Sequence, residues 1–174
     1  KFKRTDNGIE ITSNNPDLED EENLAYKAAK LLKDEYGIMS GVKIHLEKNI
    51  PISSGLGGGS SNAATALIAL NKLWRLRIND KKMIQLAAKL GSDVPFFLGE
   101  NAAFVSGIGE KLKPIQKPYK MNIILINPGF HLSTKEAYSI LDKYKAGREK
   151  KPAASSMVKA MANNNINEIA GNIY

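Results

Sequence analysis

The chain has 174 residues, 43% hydrophobic and 25% charged, with no cysteine and a formal net charge of +7. That is an ordinary globular composition for one or two small domains, and it excludes a disulfide framework and a thiolate metal site. No apolar run nears the roughly 18 residues of a membrane span. KFKRTDNGIE lacks the apolar core of a signal peptide, and no Lys/Arg block interleaved with aromatics marks a nucleic-acid surface. The expectation is a cytoplasmic protein with a solvated basic surface, a preference for anionic small molecules ranking next.

In chain order, GIEITS alternates apolar and polar residues and predicts a short strand, followed by the acidic loop NNPDLEDEEN. From Asn23 to Tyr36, Leu24, Ala28, Leu31 and Leu32 recur at helical spacing, and Gly37 ends the run. GVKIHLEKNI sets Val42, Ile44 and Leu46 against Lys43, His45 and Glu47, a half-buried strand that Pro51 closes. A glycine-rich tract comes next, then a helix expected over 61–74 with Leu67, Leu70 and Trp74 on one stripe. Asp80 is the expected cap of a helix to Leu90, which Gly91 terminates. SDVPFFLG reads as a turn with a short helical piece, and NAAFVSGIGEKLKPI as strand, glycine turn, strand. KMNIILINPG is the most strand-like stretch of all. STKEAYSILDKY is a helix capped by Ser133 or Thr134; a Gly147–Pro152 loop leads to a last weak helix. A domain boundary is expected near 117–119, giving domains 1–118 and 119–174.

The tract PISSGLGGGSSNAA, Pro51 to Ala64, carries the functional signal. Interior glycine costs a helix or strand roughly 0.5–1 kcal/mol, so four glycines within 55–59 need a reason. Glycine reaches positive φ and lets backbone approach a ligand closely. The helix that follows presents unpaired N–H groups and the positive end of its dipole, an anion site. Ser60, Ser61 and Asn62 add short polar side chains, so the inferred ligand is a phosphate chain. A plain linker does not belong between a patterned strand and a patterned helix. Walker A requires Gly-Lys-Ser/Thr, and here the order is Gly-Ser-Ser-Asn. The dinucleotide fingerprint is met at Gly55 and Gly57 and fails at Ser60.

Pro51, Gly55, Leu56 and Gly57, followed by Gly58-Gly59-Ser60-Ser61-Asn62-Ala63-Ala64, resemble the ATP loop of the GHMP kinases, the superfamily of galactokinases, homoserine kinases and mevalonate kinases. The longer form GLGGGSSNAA resembles the branch of the family whose substrate is a cytidyl-diphosphate-linked methylerythritol. ENLAYKAAKLL, LGSDVPFFLGENAAFVSGIGEKLKPI and NPGFHLSTKEAY agree with it. The resemblance implies an α+β, two-lobed fold: a β/α N-terminal lobe with the glycine loop, a smaller α+β C-terminal lobe, and an active site between them. It implies ATP and Mg²⁺ as cofactors and phosphorylation of a hydroxyl on a small molecule. Composition and charge patterning leave neither nucleic acid nor membrane as an expected partner; oligomeric state stays open.

The resemblance assigns Asp93 as catalytic base and substrate contact. Read from residues alone, Asp93 could instead cap the VPFF turn, with Pro95 at its start. Pro51, Gly55, Leu56, Gly57, Gly58, Gly59, Ser60, Ser61 and Asn62 are assigned to ATP, with either Ser60 or Ser61 touching Mg²⁺. Asn23 matches the family's adenine contact, or is an ordinary helix cap. Thr134 and Tyr138 match the cytidyl side of the substrate, where an aromatic could stack on the base; their alternatives are a cap and core packing. His45 is expected at the surface, Trp74 in the core and Glu110 in a turn. His131 matches no motif residue, and no His/Asp/Glu spacing suggests a protein-ligated metal. The family's opening Lys and Arg-x-Asp-Gly-Tyr-His stretch and its late Gly-Ser-Gly motif are not found. The chain is therefore expected to be an internal segment, weak or inactive by itself. Another small-alcohol kinase of the superfamily, or a non-catalytic nucleotide-binding module, are the competing functions.

Overall fold

Val42 and Ile44 point one way and Lys43 and His45 the other, as their alternation requires, and in the computed structural model this strand is paired on both edges. The structure describes residues 1–52, 54–99, 102–115, 122–126, 136, 139–140, 143 and 154–172. Strand β3 (Gly41–Leu46) is central: β1 (Phe2–Thr5) lies antiparallel on one side, with Phe2 opposite Ile44, and β2 (Ile9–Ser13) parallel on the other, with Ile11 opposite Ile44. Because β1 and β2 are joined by only a short turn, β3 passes beneath it. A Cβ at Gly41 would overlap the Asn7 carbonyl, so a residue without a side chain is required there.

The parallel β2–β3 pair needs a crossover, which α1 (Leu24–Tyr36) supplies. Gly37, at φ +62°, closes α1 in the left-handed region. Helix α2 (Gly58–Leu73) packs on α1 through small residues. Ala25, Ala28 and Ala29 of α1 and Ala63, Ala64 and Ala66 of α2 are all buried, which lets the helices approach closely. Leu32, Leu67 and Leu70 fill the remaining space, each contributing about 1.5–3 kcal/mol by burial. Helix α3 (Asp80–Leu90) adds Met83, Leu86 and Ala87 to this core. Trp74, directly after α2, is buried as expected, with Lys33 Nζ 5.9 Å from its ring centroid. His45 is exposed, as expected.

The chain divides into two compact units, Lys1–Glu100 with Val105–Leu112, and Asn101–Phe104 with Lys113–Tyr174. Strands β4 (Ala103–Ser106) and β5 (Lys111–Pro114) form a hairpin whose turn end belongs to the first unit. In the second unit, α4 (Ala154–Ala162) and α5 (Ile166–Gly171) pack against each other and bury Ala160 and Ile169. The single weak helix expected at the end is thus two, broken at Asn164, whose φ is +53°. Among the described residues no helix is long and apolar enough to cross a membrane.

Three further expectations are corrected, and the acidic loop is seen to carry a short turn. Helix α2 begins at Gly58, three residues before the expected start, because Gly58 and Gly59 adopt helical geometry once Gly57 has turned the chain. The α3 cap is Asn79, whose Oδ1 accepts from Lys82 N at 2.9 Å; Asp80 is the first helical residue, where its charge favours the dipole. The acidic loop contains a 3₁₀ turn, Pro16–Leu18, capped by Asn15. Residues 122–126, expected as the strongest strand, have no ladder, and Ile123 to Ile126 are 68–88% exposed. High β propensity makes a strand only where a partner accepts its hydrogen bonds. The helix expected over 133–144 falls mostly outside the described residues; Glu136, Ser139, Ile140 and Lys143 are helical.

Glu35 ties α3 to α1, accepting from Lys82 Nζ at 2.6 Å and Lys89 Nζ at 3.0 Å. The hydrogen bonds from Lys82 and Lys89 hold its carboxyl below the usual range, and Glu35 in turn raises Lys82. A lowered carboxyl pKa adds stability above the ordinary value and loses it as pH falls through the folded-state value. Glu35→Gln should therefore lower Tm modestly at neutral pH and converge with wild type in acid. Circular-dichroism melts across pH check this, and parallel Tm curves would refute it.

Candidate functional site: a glycine loop between two cavities

Helix α2 starts without a side-chain cap, whereas Asn23, Asn79 and Asn165 close α1, α3 and α5. Gly57 precedes it at φ +67°, and Gly55 lies at φ +72°. The first intrahelical bond from the loop is Ser61 N to Gly57 O at 2.9 Å. The amides of Gly58, Gly59 and Ser60 are the leading N–H groups of α2, which an α-helix leaves without partners of its own. With no acidic residue in that first turn, the positive end of the dipole is uncompensated.

Gly58, Gly59 and Ser60 line a cavity of 310 Å³. Its wall gathers Pro51, Gly55, Leu56 and Gly57 from the loop, Gly58, Gly59, Ser60 and Asn62 from α2, and Asn23 from the start of α1. Nine of the ten residues expected at the nucleotide are thus brought together. Ser61 is the exception: it does not line the cavity, and its hydroxyl donates to the Gly58 carbonyl at 2.9 Å. Asn23 serves as cap, its Oδ1 accepting from Ala25 N at 2.9 Å and its Nδ2 donating to Leu18 O at 2.8 Å, while also lining the cavity.

Sequence reasoning missed Lys48. Its Nζ lies over Gly58, where a Cβ would overlap it, and burial pushes the amine's pKa down. Asn14 fixes its backbone on both sides, accepting from Lys48 N at 2.7 Å and donating to Lys48 O at 3.2 Å. The one available signal was position: a Lys two residues after β3 and three before Pro51.

Asp93 opens onto a second cavity, of 370 Å³, on which Gly55, Leu56 and Gly57 also lie. The loop therefore borders both spaces, the uncapped helix on one and a carboxylate on the other. Asp93 is exposed and its side chain makes no hydrogen bond among the described residues. It does not cap the following turn: Val94 occupies that position, with no side-chain bond, and buried Val94 and Pro95 anchor the segment. Phe97, also unforeseen, packs its ring against Gly57. Thr134, Tyr138 and His131 lie outside the described residues. Among the described residues no cluster of three His, Asp or Glu could hold a metal ion.

The GHMP kinases N terminal domain matches residues 23–100, which covers the loop, α2 and Asp93. The chain is 41% identical over 172 residues to "4-diphosphocytidyl-2-C-methyl-D-erythritol kinase" of Caldicellulosiruptor saccharolyticus, spanning 98% of this chain and 59% of that protein. It is 45% identical over 145 residues to the protein of that name from Clostridioides difficile, spanning 82% and 49%. The crystal structure of a 4-(cytidine 5'-diphospho)-2C-methyl-D-erythritol kinase superposes with a TM-score of 0.69 at 33% identity, over 94% of this chain and 57% of that one. A homoserine kinase from Cytophaga hutchinsonii superposes with a TM-score of 0.70 at 19% identity, over 98% and 60%, which shows the fold alone. The chain thus spans about three-fifths of the length of the first of these relatives. Residues 23–100 thus match the GHMP kinases N terminal domain, and nearly the whole chain has the α+β GHMP kinase fold.

Proposed function

We propose that the protein carrying this chain is a cytoplasmic kinase that transfers the γ-phosphoryl group of ATP to the 2-hydroxyl of 4-diphosphocytidyl-2-C-methyl-D-erythritol. The observation that carries the reading is the uncapped start of α2 on the first cavity, with Gly57, in the left-handed region, bordering both it and the second cavity, which Asp93 overlooks. Phosphoryl transfer asks a protein mainly for positioning and for charge stabilisation. The amides of Gly58 to Ser60 and the Lys48 ammonium supply the positive potential for the phosphates. Asp93 takes or orients the proton of the attacking hydroxyl. Asn23 and Pro51 border the nucleotide, and Thr134 and Tyr138 are assigned to the cytidyl end.

Mg²⁺ commonly keeps waters and phosphate oxygens as most of its ligands, and needs only one or two from protein. The residues fit that mode: Ser60 is the α2 hydroxyl on the cavity, while Ser61 is engaged within the helix. When bound, Mg²⁺ would neutralise phosphate charge.

Incubating the full-length protein with ATP and, in parallel, the cytidyl compound, mevalonate, homoserine and galactose tests the reading by ADP release. Release with the cytidyl compound alone is expected. Release with another alcohol would keep the loop and discard the substrate. ATP binding without turnover would favour a non-catalytic nucleotide module. The relatives' identities near 40% support the cytidyl substrate.

A further inference from the structure

Asp93 has no side-chain hydrogen bond among the described residues, so its place must be set through the backbone around it. Ser92, directly before it, meets Gly109 in the β4–β5 turn: a Cβ there would overlap the Ser92 carbonyl and come 3.0 Å from Ser92 Cα. Gly109 lies at φ +103°, so both space and conformation demand glycine. The turn is itself held by Glu110. The carboxylate accepts from Ile108 N at 2.7 Å and folds over Gly107, where a Cβ would lie 2.5 Å from Oε2 and 2.7 Å from Cδ. Gly107 in turn needs its positive φ of 72°.

We infer that Glu110 is a positioning residue for phosphoryl transfer: by closing the Gly107–Glu110 turn it presses Gly109 onto the Ser92 backbone and so fixes Asp93 beside the glycine loop. This rests on the proposed kinase reading, which assigns the chemistry to Asp93. The Glu110 carboxyl is held below the usual range by its own backbone N–H and that of Ile108, as a group engaged by the turn should be. All of these residues belong to the first unit. The nucleotide cavity does not include the turn, so its loosening should move the carboxylate and leave ATP in place.

The test uses the full-length protein and its Glu110→Ala and Glu110→Gln variants, reading kcat, both KM values, ATP affinity by calorimetry, and Tm. Misplacing a reacting group by about 1 Å can cost on the order of 100-fold in rate. Glu110→Ala is expected to lose at least about tenfold in kcat per folded molecule, with ATP affinity within about twofold of wild type. Glu110→Gln, whose amide oxygen can still accept from Ile108 N, should recover part of the loss. Unchanged kcat in Glu110→Ala, a loss confined to ATP affinity, or a loss accounted for by the unfolded fraction would each overturn the inference. If wild type itself releases no ADP with the cytidyl compound, the kinase reading has failed rather than the role of the turn.

Discussion

On the proposed kinase reading, Asp93→Asn should lower kcat of the full-length protein by at least about 100-fold, the usual scale for a general acid–base group, while ATP affinity stays within about twofold. Asn keeps the size of the side chain and removes its capacity to accept a proton. The variant should fold, because Asp93 is exposed and neither caps the next turn nor pairs with another side chain among the described residues. ATP affinity should persist because Asp93 lies on the second cavity and does not line the first. Retained turnover would remove Asp93 from the chemistry. Lost ATP affinity in step with lost turnover would mean that the loop had collapsed.

The residues that decide the fold were readable to different depths. Strand β3 and helix α1 followed from periodicity, because one face of each meets a single core, and the burial of Val42, Ile44, Ala28 and Leu32 matches that alternation. The start of α2 was misplaced because glycine carries a penalty inside a helix; Gly58 is nonetheless buried there, with Lys48 Nζ and Ile50 where a Cβ would lie. Asn79 rather than Asp80 caps α3 because either type can serve, and only the extended backbone of Asn79, ψ 163°, selects between them. Residues 122–126 read as a strand because propensity is local and pairing is not. Lys48 and Phe97 were illegible for the same reason. Nothing near them in sequence announces that one lies over Gly58 and the other against Gly57; tertiary packing alone brings them there.

Gly57→Ala should weaken ATP binding more than any other single substitution in the loop, by at least about tenfold, together with a lower Tm. Two effects combine. Gly57 sits at φ +67°, and a Cβ in the left-handed region costs roughly 1–2 kcal/mol. The added atom would also lie 2.6 Å from Phe97 Cζ and 2.9 Å from Cε2, so ring or loop must move. Overpacking of this kind typically costs about 1–3 kcal/mol. Either response shifts the residue that precedes the free amides of α2, and phosphate recognition depends on where those N–H groups point. Gly55→Ala is the control: it shares the positive φ, +72°, but has open space around its Cβ, so it should carry the conformational cost without the collision. Phe97→Leu should partly rescue Gly57→Ala and leave Gly55→Ala unaffected. Measured as a double-mutant cycle by ATP calorimetry and thermal melts, the coupling between positions 57 and 97 isolates the collision. Equal losses in the two glycine variants with no coupling would assign the whole effect to φ. Wild-type ATP affinity in Gly57→Ala would refute the loop as the phosphate site.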